Sequence, residues 1–148
     1  MKLLGENKIA KRDFEILEKI LCGIELKGFE VKSIKLGKFS FKGSFARIKK
    51  GEVFLENFYI APYQEKNVPP SYDPYRQRKL LLRKREIKSL FGKLHRKPLT
   101  LIPTKIYQKN GLIKIEIALC RKRKKYEKKE QLKKKEIERE IQRYLKEY

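Results

Sequence analysis

The stretch Leu99–Cys120, LTLIPTKIYQKNGLIKIEIALC, decides the fold. At its centre stands Asn110-Gly111, the pair best suited to a two-residue type I′ turn, where both positions take positive φ. Counting outward sets Lys109 against Leu112, Ile106 against Ile115, Thr104 against Ile117 and Ile102 against Leu119. In that register Ile113, Ile115, Ile117 and Leu119 share one face, while Lys114 and Glu116 point the other way. Such alternation marks a strand buried on one side only. Residues 99–109 and 112–120 are therefore two antiparallel strands with an apolar inner face.

A second hairpin is expected at Lys50-Gly51, joining Phe39–Lys49 to Glu52–Ile60, with Gly43 marking a bulge or bend. Pro62 and then Pro69-Pro70 end that run, and Asn67–Tyr75, with three prolines, reads as a loop. Ile87, Leu90, Phe91 and Leu94 recur at helical spacing and predict a helix over 83–96 with those four side chains inward, limited by Pro98. A shorter helix fits Gly28–Leu36, with Val31 and Ile34 inward and Gly37 as its stop. Residues 13–26 fit either a helix or a strand; as a strand, Glu18 breaks the pattern. The sum is five strands and two or three helices, a mainly β chain. For so small an all-β core, a partly open antiparallel barrel of the OB type is the natural closure.

The chain has 148 residues with 40 Lys or Arg against 18 Asp or Glu, a net charge of +22. The length fits one domain, and 40% apolar residues is too many for a wholly disordered chain. No apolar run exceeds four residues, so neither a membrane-spanning helix nor the apolar core of a signal peptide is expected. Cys22 and Cys120 lie far apart with no CxxC, which disfavours a disulfide framework and points to a reducing cytoplasm. An excess charge this large calls for a polyanionic partner, nucleic acid first. Ten of the cations fall between Arg76 and Lys97, against the single acid Glu86. At Cys120 the composition changes: no Gly or Pro follows, and apolar content drops. Residues 1–119 are read as the folded domain and 120–148 as a basic tail.

Catalytic groups are hard to find. The lone histidine, His95, sits on the basic helix and reads as solvated; no phosphate-binding glycine loop and no metal-ligand cluster is present in the sequence. The remaining chemistry is aromatic rings among cations: Tyr72, Tyr75, Tyr107 and Tyr126, the last directly after five consecutive basic residues. Rings stack on bases while neighbouring cations hold phosphates, although the same tyrosines also suit packing on the barrel. In the tail, Ile137, Ile141, Tyr144, Leu145 and Tyr148 make one thin stripe on a Lys/Glu-rich helix. That stripe is too narrow to hold a helix alone in water, so the tail is expected to be disordered until a partner orders it.

Gly28-Phe29-Glu30-Val31-Lys32-Ser33 resembles the G-x-E-V-K-S motif of the SsrA-binding proteins, the small protein B family. Asp73-Pro74-Tyr75-Arg76-Gln77-Arg78-Lys79-Leu80-Leu81-Leu82 resembles that family's D-P-x-R-x-R-K-L-L-L, continued by Lys84-Arg85-Glu86-Ile87 and Gly92-Lys93. Tyr107, Lys109, Asn110 and Lys114 match its hairpin. The resemblance implies an OB-like barrel in which 13–26 is a strand. It implies binding to the tRNA-like domain of transfer-messenger RNA and delivery to stalled ribosomes for trans-translation, without catalysis or cofactor. It also implies contact with elongation factor Tu through the charged RNA, and a monomer free of any membrane.

On the same ground the RNA-binding residues are Glu30, Lys32, Arg76, Arg78, Lys79, Leu81, Arg83, Lys84, Arg85, Lys93, Lys109, Asn110 and Lys114. Leu81 and Lys114 match family RNA contacts, and Leu21 stands where the family has Glu. For the tail the resemblance implies entry into the decoding centre and mRNA channel through Arg121, Arg123, Lys124, Tyr126, Glu127, Lys128, Lys129, Ile137 and Ile141. Here Glu127 and Lys129 replace the family's Asp and Arg, and the family's Gly is lost at Lys122. The competing readings are a structural protein of the ribosome bound to rRNA, and an RNA-modifying enzyme.

Overall fold

The computed structural model describes every residue except Glu65, Asn67 and Tyr148, and the backbone but not the side chain of Glu147. Among the described residues there are nine strands and four helices. In chain order these are β1 (Lys2–Glu6), α1 (Lys8–Asp13), β2 (Phe14–Ile24), α2 (Gly28–Lys35), β3 (Phe39–Ser40), β4 (Phe45–Lys49) and β5 (Glu52–Glu56). There follow β6 (Tyr59–Ile60), β7 (Arg78–Leu81), α3 (Lys84–Arg96), β8 (Leu99–Lys109), β9 (Leu112–Lys122) and α4 (Lys125–Glu147).

Seven strands form one antiparallel sheet in the order β1-β8-β4-β5-β7-β2-β9, and β8 also pairs with β9 along its length. That last pairing brings the sheet round on itself, but β4 meets β8 only at Ala46↔Leu101 and β2 meets β7 only at Gly23↔Leu81 and Ile24↔Leu80. The result is a partly open, irregular barrel. Val53, Leu55, Leu80, Leu101, Ile106, Ile115 and Ile117 fill it, with Ile34 from α2, Leu90 from α3 and Phe58 closing its ends. The β3–β6 pair is a separate small ladder.

The β8–β9 hairpin turns at Asn110 (φ 51°) and Gly111 (φ 78°), and its register holds from Lys109↔Leu112 to Lys105↔Glu116. Beyond that point it differs from the expected pairing. Pro103 has no N–H for the ladder, and a bulge between Pro103 and Lys105 leaves Thr104 extra, so Pro103 faces Ile117 and Ile102 faces Ala118. The Thr104 hydroxyl donates to Glu116 instead, 2.8 Å from Oε2.

Residues 14–24 are a strand, and Glu18 breaks the pattern for a physical reason. A bulge at Leu17 switches faces: Ile20, Cys22 and Ile24 point into the barrel, whereas Phe14 and Ile16 lie outside it. There they join Ala10, Ile102, Ala118 and Cys120 in a second small core under α1. Lys50 and Gly51 (φ 51° and 76°) make the second turn, but its hairpin is interrupted at Gly43 (φ 74°) and Asn57 (φ 56°).

Four expectations are corrected. β1, α1 and β7 were not anticipated, the last because it hides in the basic run. α4 raises the count of helices to four. Phe91 is turned outward, 47% exposed, while Ile87, Leu90 and Leu94 pack inward. Finally, β9 continues to Lys122, with Phe14↔Lys122 and Glu15↔Arg121 paired, so the body ends three residues past residue 119. The prolines from Pro69 to Pro74 lie in turns outside helix and strand, as expected, although Asn67, the first residue of that loop, is outside the described residues. Burial pushes the Cys22 thiol up to about 12 and the Cys120 thiol up to about 11, as suits two small core residues. No helix among the described residues is long and apolar enough to cross a membrane.

Candidate nucleic-acid interface

The basic run from Arg76 divides by strand periodicity. In β7, Arg78 and Leu80 pair with Leu55 and Val53 on the inner face, while Lys79 and Leu81 point outward. Arg78 is completely buried. Its guanidinium donates to Glu30 Oε2 at 2.9 and 2.6 Å, to the Tyr72 hydroxyl at 2.9 Å, to the Pro74 carbonyl at 3.0 Å and to the Phe58 carbonyl. Glu30, equally buried on α2, also accepts from Arg76 Nε (3.1 Å) and Nη2 and from the Lys27 backbone N–H (2.8 Å). Burial alone raises the Glu30 carboxyl; the hydrogen bonds from Arg76, Lys27 and Arg78 outweigh it and hold the group below its ordinary range. The same burial, with the Glu30 charge beside it, pushes Tyr72 up to about 12.

Glu30 and Arg78 are thus corrected as RNA contacts: they are an internal tie between α2 and β7 with no surface to offer a nucleotide. Arg76 keeps about a quarter of its side chain exposed, but Glu30 holds its guanidinium.

A row of side chains crosses the outer surface of the sheet. Leu81 on β7 faces Gly23 on β2, Gly23 faces Lys114 on β9, Lys114 faces Tyr107 on β8, and Tyr107 faces Leu3 on β1. The Leu81 side chain lies across Gly23, where an added Cβ would stand 3.3 Å from Leu81 Cδ1. Leu81 is nevertheless 49% exposed, and Leu21, two residues before Gly23, is 45% exposed beside it. Leu81 and Lys114, far apart in sequence, therefore flank one glycine. This apolar-and-cationic row can receive a ribose or base edge on the leucines and a phosphate on the lysine.

The other cations are spread over further elements. Lys109 and Asn110 project at the hairpin tip. Arg83, Lys84 and Arg85 are exposed at the start of α3. That placement is unfavourable against the positive end of the helix dipole. It is offset in part by Glu86, which accepts from the Arg83 N–H at 2.9 Å. Lys32 is exposed, its Nζ 5.5 Å from the centre of the Tyr63 ring. Lys79 is half-buried, 3.8 Å from Glu52. Lys93 is turned away from this surface and ties α3 to Glu18 at 2.5 Å.

The tail begins at a fixed joint. Arg121 Nη2 donates to Glu15 Oε2 at 2.6 Å and to Glu127 Oε2 at 2.8 Å. Glu127 Oε1 also accepts from the Lys124 N–H at 3.3 Å, capping the first turn of α4, and the Arg123 N–H donates to the Asp13 carbonyl at 2.9 Å. Arg121 holds the Glu127 carboxyl below its ordinary range, and both carboxylates raise the Arg121 guanidinium in turn. Arg123 is half-buried, its Nε without a hydrogen-bond partner among the described residues. Past the joint, α4 leans on α1 across a shallow cleft lined by Ile9, Arg12, Leu132 and Lys135. Lys124, Tyr126, Lys129, Ile137 and Ile141 are exposed and Lys128 half-buried; Tyr148 lies outside the described residues. Of the loop tyrosines, Tyr72 takes the packing role, its hydroxyl tied to Glu30, Ile60 and Arg78. Glu15 and Gly23 were missed as supporting residues, and their signal was the register of β2. Among the described residues no group of three His, Cys, Asp or Glu lies close enough to hold a metal.

The chain is similar to known proteins along nearly all of its length. It is 50% identical over 141 residues to the SsrA-binding protein of Persephonella marina, covering 95% of this chain and 92% of that protein. It is 52% identical over 147 residues to the SsrA-binding protein of Pseudothermotoga lettingae, covering 99% and 98%. Among solved structures it matches a chain described under "tmRNA-SmpB: a journey to the center of the bacterial ribosome", with a TM-score of 0.69, 50% identity, and coverage of 84% of this chain and 87% of that one. A family model described as "SmpB protein" matches residues 4–147, and the chain belongs to that family.

Proposed function

We propose that this chain is an RNA-binding adaptor, which binds the tRNA-like domain of transfer-messenger RNA and delivers it to stalled ribosomes for trans-translation. The observation that carries the reading is the Leu81–Gly23–Lys114 row, with Leu81 exposed and Lys114 half-buried on the outer face of a body with a large positive charge, in a chain half identical to SsrA-binding proteins. The structural ribosomal protein is the weaker reading, because its class does not account for that relationship. The row and the hairpin tip hold the RNA by contact, and Arg83, Lys84, Arg85 and Lys32 add phosphate attraction. The adaptor works in the cytoplasm as a monomer, without catalysis, and meets elongation factor Tu through the charged RNA.

The chain beyond Lys122 is a separate module. The joint at Arg121 launches α4, while the stretch beyond Leu132 exchanges between helix and disorder until the RNA walls of the decoding centre and mRNA channel fix it. Tyr126 stacks there on an exposed base, and the basic helix lies among phosphates. The test is co-purification from the source bacterium followed by sequencing of the bound RNA. Transfer-messenger RNA should dominate; random or ribosomal fragments would overturn the reading. An RNA turnover assay with Mg²⁺ checks the adaptor against an enzyme, and should show no turnover.

A further inference from the structure

Lys84, Lys88, Phe91 and His95 fall at i, i+4, i+7 and i+11 along α3, so they form one straight stripe on the helix surface. All four are exposed. The barrel is covered by a different stripe, Ile87, Leu90 and Leu94. Phe91 therefore gains little from the core, yet a large ring stands 47% open on the most basic element of the body. It is held in place by His95, the two ring centres 4.1 Å apart and tilted by 37°. The pair presents a broad, pre-ordered aromatic surface, with two cations one and two turns toward the helix start.

Gly92 stands beside this stripe, one turn from Lys88 and from His95. A Cβ added there would meet nothing within 4 Å, and its φ is not positive, so neither packing nor backbone conformation requires glycine. In mid-helix, glycine weakens the element. Its effect is to leave the flank of the aromatic pair bare, open to close approach by a ligand's backbone.

We infer that the Phe91–His95 pair is a stacking platform for one unpaired RNA base, with Lys84 and Lys88 receiving the phosphates that flank it. Charge complementarity selects RNA over a protein partner: a face carrying two lysines and no acid suits alternating phosphates and bases. The inference rests on the adaptor reading and extends it to a site apart from the Leu81–Lys114 row. The base belongs either to transfer-messenger RNA or to ribosomal RNA, and two arms of one experiment separate these sources.

Wild type, Phe91→Ala, Phe91→Tyr and His95→Ala are titrated with the tRNA-like RNA and, separately, with vacant ribosomes, and each variant's thermal midpoint is measured. Phe91→Ala should lose on the order of tenfold in affinity in one arm, that arm naming the source. Phe91→Tyr, which keeps the ring, should restore binding, His95→Ala should lose less, and all midpoints should stay near wild type. If Phe91→Ala binds like wild type in both arms, the platform is wrong while the adaptor reading stands. A loss that Tyr does not restore, together with a lowered midpoint, makes the ring structural and also overturns the platform. A wild type that binds neither RNA overturns both.

Discussion

Arg78 and Lys79 are adjacent cations with opposite roles, and only the pleat separates them. Arg78 is tied to Glu30 without access to water, so removing Glu30 leaves the buried Arg78 charge unpaired, and removing Arg78 leaves the buried Glu30 with Arg76 as its one remaining ion-pair partner among the described residues. Arg78→Met or Glu30→Gln is expected to destabilise the fold by about 3–5 kcal/mol, read as a lowered thermal midpoint. Glu30 also sets an acid limit. Its carboxyl is held below the ordinary range in the fold, so its contribution is fully present above the unfolded-state pKa and is lost as pH falls through the folded one. Unfolding followed against pH should show that loss below the usual carboxylate range, and Glu30→Gln should flatten it. Leu81→Ala should do the reverse of Arg78→Met: half of the side chain is already in water, so stability should change little while affinity for the tRNA-like RNA falls. Equal effects of both on stability would remove Leu81 from the surface row. In the sequence these residues read alike, as one run of cations and leucines. Their division becomes visible only once β7 is recognised as a strand, and four residues are too few to display a period.

At the scale of elements, legibility followed the length of the pattern. The β8–β9 hairpin was readable because an Asn-Gly turn and the alternation from Ile113 to Ile117 agree. Its bulge at Thr104 was not, because the cost of Pro103 in the ladder is felt only when a second strand must match it. β2 was ambiguous because its bulge puts two apolar faces into one strand. α1 and β1 were invisible for lack of length: six and five residues carry too little periodicity to register. The border of the tail was displaced because composition changes at Cys120 whereas pairing with β2 continues to Lys122. Two truncations measure this. Ending the chain after Arg123 keeps β9, the Arg121–Glu15 bond and the Arg123–Asp13 hydrogen bond, and should unfold cooperatively near the intact body's midpoint. Ending it after Leu119 removes Cys120 from the second core and Arg121 from Glu15, and should lower the midpoint clearly. Arg121→Met in the full chain tests the joint itself. Exchange of backbone amides over 124–131 should quicken while those of β8 stay protected. Unchanged exchange would mean that the cap by Glu127 holds the first turn of α4 without the arginine.

The whole molecule joins a body through Lys122 with 29 basic residues to a tail with 11, and two experiments separate what charge does from what shape does. For the body, each phosphate neutralised releases condensed counterion, so affinity for the RNA falls with salt. Replacing Arg83, Lys84 and Arg85 together by Gln should flatten that dependence without unfolding the chain, since all three are exposed. An unaltered slope would place the phosphates elsewhere. For the tail, the geometry gives a stiff start and an exposed remainder. α4 spans 23 residues, about 34 Å; it leans on α1 and is tied to Arg121 through Glu127, and its described side chains beyond Gln131 are exposed. Tyr126, Ile137 and Ile141 are 61%, 55% and 53% exposed, so none stabilises the body. Tyr126→Ala, or Ile137 and Ile141 to Asp, should therefore leave the thermal midpoint and the affinity for free RNA as they were. The same changes should abolish tagging of stalled chains, because the ring loses its stacking partner, worth about 1–3 kcal/mol, and the helix loses its only apolar stripe. RNA affinity and peptide-tagging yield measured side by side on each variant decide the matter. Parallel loss of both would mean that the tail belongs to the RNA-binding surface of the body, and that the joint at Arg121 serves to hold it there.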